Sequence, residues 1–199
     1  MLKRTLSLIL CLLSLISVSA SSSLACVGRT LYLGTLQTNE DSLMAEMLAL
    51  LINERTGTTI QIRPFKTSEE LYSALKSQKE QERVDIIVED TTQALAIAQQ
   101  KVGNSPDQDF ITVKAHYEKE LNVVWLNPFG YSKKAGQPSF SAPLLRKDIL
   151  TNFPLLPRVL NKLAGSINDK AYQDLMTAVS GGDKPKSIAK EFLKKQKFI

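Results

Sequence analysis

From residue 30 to about residue 100, the apolar positions alternate between two periods. Thr30 to Thr35 (Thr-Leu-Tyr-Leu-Gly-Thr) reads as a strand, with Gly34 allowing a tight turn at its end. Leu43, Met47, Leu50 and Leu51 then recur at helical spacing. Thr38 or Asn39 can cap this helix, Glu40 and Asp41 suit its first turn, and Gly57 stops it after Arg55. Ile60 and Ile62 alternate with polar residues up to Pro64, giving a second strand. Thr67 and Glu70 have capping-box spacing ahead of Leu71, Tyr72 and Leu75. Val84 to Val88 is a third strand, and Thr91 or Thr92 opens a helix carrying Leu95, Ile97 and Ala98.

Strand and helix alternation of this kind predicts a parallel sheet with right-handed crossovers. Beyond it, Val102 to Asp109 reads as a loop, Phe110 to Leu121 as a helix and Val123 to Leu126 as a short buried strand. Residues 127–138 are rich in turn formers and lack periodicity. Leu144 to Thr151, Pro157 to Ala164, Asp169 to Ser180 and Ser187 to Lys195 read as four short helices. The predicted fold class is α/β, a three-layer sandwich around a mostly parallel sheet with helices at the carboxyl terminus.

The third strand breaks off into Glu89, Asp90, Thr91 and Thr92. In open α/β sheets ligands bind at the carboxyl ends of strands, so these four are ligand-facing candidates. Thr35, Gln37 and Thr38 follow the first strand and would lie beside them. Capping of the following helices is the competing role for both groups. Trp125 and Phe129 read as core and Tyr32 as structural, whereas Tyr131 in the turn-rich stretch is a further ligand candidate.

Catalytic and metal chemistry find little support. His116 is the only histidine, and no Gly-x-Ser-x-Gly elbow or Walker phosphate loop occurs. No enzyme activity, metal or cofactor is expected.

Lys3 and Arg4, the apolar run Leu6 to Val18 and the small residues after it form an export signal, too short to span a bilayer. Cleavage after Ala20 or Ala25 fits, and we take 1–25 as the signal and 26–199 as one domain. Cys26, directly after Ala25, is a candidate for lipid attachment. A periplasmic or extracytoplasmic location, soluble or lipid-anchored, follows. Loss of Lys3 and Arg4 lowers the formal charge from +5 to +3. Much of the rest is Lys184, Lys186, Lys190, Lys194, Lys195 and Lys197, interleaved with Ile188, Phe192 and Leu193 as on the solvated face of a terminal helix. Nucleic acid is not an expected partner.

Five segments in order resemble the ABC-transporter substrate-binding proteins for glycine betaine, choline and related osmoprotectants. Leu33-Gly34 with Leu43-Met44-Ala45-Glu46-Met47-Leu48 and Thr56-Gly57 is similar to the family's first strand and helix. Val84-Asp85-Ile86-Ile87-Val88-Glu89-Asp90-Thr91-Thr92 stands in the place of its Glu-Tyr-Thr-Gly-Thr block. Leu121 to Tyr131 resembles its Trp-Leu-x-Pro-x-Gly segment. Ala142 to Leu150 and Leu160 to Gly165 resemble its carboxyl-terminal helices. The resemblance implies a solute-binding component of an ABC importer, with a small polar or quaternary-ammonium solute and a membrane permease as partners.

Two departures qualify what the resemblance implies. The family's second lobe lies between the Trp-Leu-x-Pro and Ala-Pro segments, where this chain has only residues 127–141, read as a loop in place of that lobe, before a helical part at 142–199. Asp90 stands where the family has a tyrosine, and aromatic faces are what hold a quaternary ammonium. Two readings therefore stay open: a solute-binding component, degenerate or not, and a single-lobe interaction protein that has lost its ligand and binds a protein partner or a second copy.

Overall fold

A computed structural model of the chain describes residues 30–199 apart from 104, 135 and 136, so the export segment 1–25 and Cys26 lie outside the described residues. The chain runs β1 (Thr30–Leu36), α1 (Asn39–Thr56), β2 (Thr59–Phe65), α2 (Ser68–Lys76), β3 (Ile86–Asp90) and α3 (Thr91–Ile97). It continues through α4 (Pro106–Glu120), β4 (Val123–Trp125), β5 (Gly130–Lys134), β6 (Gln137–Arg146), α5 (Leu156–Leu160), α6 (Asp169–Ser180) and α7 (Pro185–Lys195).

The strands form one sheet in the order β2-β1-β3-β6-β4, with β5 also paired to β6. β1 is parallel to β2 and β3, while β6 is antiparallel to β3, β4 and β5. Every described strand except β6 therefore points the same way, and the sheet is mostly parallel. The connection after β2 returns across β1, so the chain reverses its winding between β1 and β3. In doubly wound sheets that reversal opens a crevice at the strand ends.

Strand alternation divides the core between the two faces of the sheet. Leu31, Leu33, Ile86 and Leu145 face α1 and the carboxyl-terminal helices. Ile87, Leu144 and Trp125 face α2, α3 and α4. The sheet side and the carboxyl-terminal helices together cover α1, so its buried positions run Leu43, Met44, Ala45, Met47, Leu48, Leu51 and Ile52 rather than along one stripe. Thr38 caps α1 by accepting from the Asp41 amide at 3.0 Å, and Gly57 ends it at φ +70°, a conformation glycine adopts without strain.

Gly34 lies inside β1 rather than at a turn. A Cβ there would come 2.5 Å from Leu71 Cδ1 and 3.1 Å from Val84, so glycine is what lets α2 pack this close to the sheet. Ser105 and Pro106 start α4 earlier than its apolar pattern predicts. Ser105 accepts from the Gln108 amide, and proline fits the first turn, where its missing N–H costs no helical bond.

Two further expectations are corrected. Residues 127–141, read as a loop, instead form most of a β-hairpin in which Gly130 pairs with Ser141 and Lys134 with Gln137. Leu144 to Arg146, read as the start of a helix, is the end of β6, and a 3-10 turn over Lys147–Thr151 follows. β6 lies between β3 and β4 with both faces covered, so Ala142 to Leu145 is a continuous apolar run, a pattern that periodicity cannot separate from a buried helix.

Candidate functional site

The reversal point between β1 and β3 holds a small hollow lined by Leu36, Glu40, Asp41, Val88, Glu89 and Asp90, with Met44, Leu71, Gln93 and Ser141 completing it. Its cavity volume is about 20 Å³. A single water occupies roughly 10–15 Å³ on this measure, so the hollow itself holds little more than one water. Four of the described lining residues are acids, and none of the described ones is a lysine, arginine or histidine.

Alternation along β3 separates its two terminal carboxylates. Glu89 has the parity of Ile87 and extends toward α2 and α4, whereas Asp90 has the parity of Ile86 and Val88 on the α1 side. Asp90 caps α3 by accepting from the Gln93 amide at 3.1 Å. The Glu89 carboxyl is buried. Its Oε1 accepts the Asp90 N–H at 2.8 Å, and its Oε2 lies 2.5 Å from the phenol of Tyr72. Tyr72 in turn lies 3.1 Å from the phenol of Tyr117, which lies 3.1 Å from the Ala94 carbonyl oxygen. Burial is the main cause that pushes the Glu89 carboxyl up to about 7, opposed by Tyr72 and the Asp90 amide and reinforced by Asp90 and Asp41. Burial and Glu89 likewise raise Tyr72 well above the ordinary phenol range.

The rim continues onto the carboxyl-terminal helices. Tyr172 of α6 hydrogen-bonds Glu40, and burial followed by the Glu40 charge raises its phenol pKa. The hollow is thus a polar, acid-lined notch flanked by phenols, suited to a group bearing positive charge.

Of the residues singled out from sequence, Glu89 and Asp90 line the hollow. Thr91 and Thr92 are beside it but are taken up in binding the hairpin. Thr91 Oγ1 accepts the Phe140 N–H at 3.0 Å and lies 2.9 Å from Ser139 Oγ, which accepts the Thr92 N–H at 3.1 Å. Thr35 is buried and donates to the Leu36 carbonyl, Gln37 is exposed with its N–H bonded to Phe65, and Thr38 is the α1 cap. Tyr131 lies on β5 opposite Phe140, outside the lining. Glu40, Asp41, Gln93, Ser141 and Tyr172 were not picked out as site residues. For Glu40 and Asp41 helix capping was a sufficient explanation, and the others reach the hollow only through the return of β6 and the docking of α6.

Residues 132–195 match the family described as the substrate binding domain of ABC-type glycine betaine transport systems. That segment runs from the hairpin to the end of α7 and contains Ser141 and Tyr172, but not the four acids of the hollow. The fold is shared with solved structures of low sequence identity. A solved structure described as a glycine betaine/carnitine/choline ABC transporter superimposes with a TM-score of 0.73 at 15% identity, covering 85% of this chain and 98% of the other. Apo YehZ from Escherichia coli gives a TM-score of 0.72 at 12% identity, covering 85% and 99%. No curated protein sequence matches the chain.

Proposed function

We propose that this chain is an exported solute-binding component of an ABC importer of the glycine betaine type, reduced to one lobe, with the hairpin over 127–141 in place of the second. The observation that carries this reading is the acid-lined hollow at the winding reversal of a sheet with this fold. The gathering of four acids in one hollow favours a small cationic or polar solute, quaternary ammonium included. The solute sits at an open rim rather than inside a closed cleft, so binding is weak, with carboxylates facing water on one side. The protein works outside the cytoplasm, soluble or anchored through Cys26, and delivers its solute to a membrane permease. Isothermal titration of the mature protein with glycine betaine, choline and amino acids at millimolar concentration tests this. Saturable heat with a cationic solute supports it, and heats equal to dilution for every solute overturn it.

A second reading rests on how fully the strand ends are engaged. Asp90, Thr91 and Thr92 are all held in caps or hairpin bonds, and the hollow has room for about one water. Such a surface fits an interaction protein that has lost its ligand and pairs with a partner protein or a second copy. Light scattering behind size-exclusion chromatography distinguishes self-association, which a monomer at high concentration would count against.

A further inference from the structure

Hydrogen counting in the buried chain behind the hollow gives a result that holds whether or not a solute binds. Three contacts run in series: Glu89 Oε2 to Tyr72 at 2.5 Å, Tyr72 to Tyr117 at 3.1 Å, and Tyr117 to the Ala94 carbonyl at 3.1 Å. Each needs one hydrogen, and two phenols supply two. The third has to come from the carboxyl. We propose that Glu89 is a neutral acid donating to Tyr72, that Tyr72 donates to Tyr117 and Tyr117 to Ala94, and that loss of the Glu89 proton releases α3 from this chain as a pH-operated latch.

Ionisation necessarily breaks one link. An ionised Glu89 accepts from Tyr72, leaving Tyr117 a single hydrogen to share between Tyr72 and Ala94. The Ala94 carbonyl already takes the Ala98 N–H at 2.9 Å, the bond that ends α3, so the link lost is the one fixing α3 to α4. Burial and the nearby carboxylates favour the neutral form and outweigh the opposing hydrogen bonds of Tyr72 and the Asp90 N–H. Asp90 lies on the same strand and Asp41 faces Glu89 from α1, with Glu40 lining the same hollow and itself bonded to Tyr172 of α6. Phenols face Glu89 from α2 and α4, and the uncharged Gln93 and Ser141 line the hollow from α3 and β6. Among the described residues, no lysine, arginine or histidine lines that hollow. Burial of the carboxyl acts in the same direction.

The test uses infrared spectroscopy and hydrogen exchange on the full chain and on Glu89→Gln, whose amide donates to Tyr72 while its oxygen accepts the Asp90 N–H. At about pH 6, the wild type minus Glu89→Gln difference spectrum should show one carboxylic-acid carbonyl band that vanishes on alkaline titration. Exchange of the α3 amides, corrected for intrinsic pH dependence, should rise severalfold across that titration in the wild type and stay flat in Glu89→Gln. Tyr72→Phe leaves the Tyr117 hydrogen to Ala94 alone, so its α3 amides should exchange slowly and independently of pH, whereas Tyr117→Phe, which removes the link, should exchange fast at both ends of the titration. A difference spectrum with a carboxylate band and no acid band at about pH 6, or α3 exchange that responds to pH equally in wild type and Glu89→Gln, overturns the proposal.

Discussion

Thr91 and Ser139 are 48 residues apart in sequence, yet their hydroxyl oxygens lie 2.9 Å apart in the buried seam between α3 and the β5–β6 hairpin. Each hydroxyl also accepts a backbone N–H from the other's element, Phe140 onto Thr91 and Thr92 onto Ser139. The two side chains thus close a ring that positions the hairpin against the strand end. Thr91→Val preserves shape but orphans the Phe140 N–H and one side of Ser139. We expect a loss of about 2 kcal/mol, since stranding a buried donor costs roughly 1–3 kcal/mol. Ser139→Ala should cost about as much. The double variant should cost clearly less than the two together, as measured by urea denaturation, because the partners share one ring.

Gly34→Ala tests the close packing of α2. The added methyl meets Leu71 Cδ1 at 2.5 Å and both Val84 methyls at 3.1 Å, so one layer has to shift. Overpacking of this kind costs roughly 1–3 kcal/mol. Pairing it with Leu71→Ala should recover part of the loss seen in thermal melts. If Gly34→Ala melts at the wild-type temperature, α2 does not pack as described.

The periodicities of β1, α1, β2 and α2 were legible because each element has one strong pattern and an explicit cap, such as Thr38 or Gly57. The hairpin was not. Its pairing is set by β6 leaving the sheet beyond β3, and nothing local in residues 127–141 signals that partner. Leu144 and Leu145 failed as a pattern for the opposite reason, since each fills a different core layer and no polar alternation remains. At the site, Glu89 and Asp90 were visible as a polar strand end. The phenols behind Glu89 were not, because Tyr72 fits the apolar side of α2 and Tyr117 reaches the same spot from a helix 45 residues on.

Glu89 also predicts how stability depends on pH. Its carboxyl is raised from 4.5 to about 7 in the folded chain, so the folded state holds a proton that the unfolded state has released. The stabilisation is fully present below pH 4.5 and is lost as pH rises toward about 7. The decline approaches about 1.4 kcal/mol per pH unit inside that window and totals on the order of 3 kcal/mol. Glu89→Gln should remove this component. The wild-type minus variant difference in urea-derived stability should therefore fall with pH between those limits and level off above them. A difference that is flat in pH would show that Glu89 titrates alike in both states.

Arg146 secures the opposite end of the sheet. Its guanidinium bonds both carboxylate oxygens of Asp148 at 2.9 and 2.8 Å and donates to the Leu75 and Ser77 carbonyls and to Gln78, tying the end of β6 to the end of α2. Arg146→Lys keeps the charge but loses the planar fork, and only one or two of these contacts can be rebuilt. We expect a loss of about 3 kcal/mol for Arg146→Met, which leaves two backbone acceptors near the core unpaired, and a smaller loss for Arg146→Lys. Equal losses would mean that the charge matters and the geometry does not.

The acid rim offers the sharpest test of solute binding because charge and capping can be separated at one residue. Asp90 both lines the hollow and caps α3. Asparagine caps a helix about as well as aspartate, so Asp90→Asn should keep the fold within a few tenths of a kcal/mol while removing one negative charge. Asp41→Asn removes a second charge from the same hollow. A single partly solvated charge pair is worth roughly 0.2–1 kcal/mol, so each variant should weaken a cationic solute by up to about fivefold. Raising the salt should narrow the gap between wild type and variants as screening takes over. A neutral solute should show neither effect. If both variants bind a cation as the wild type does, with unchanged salt dependence, the carboxylates serve only as caps and the solute, if any, sits elsewhere.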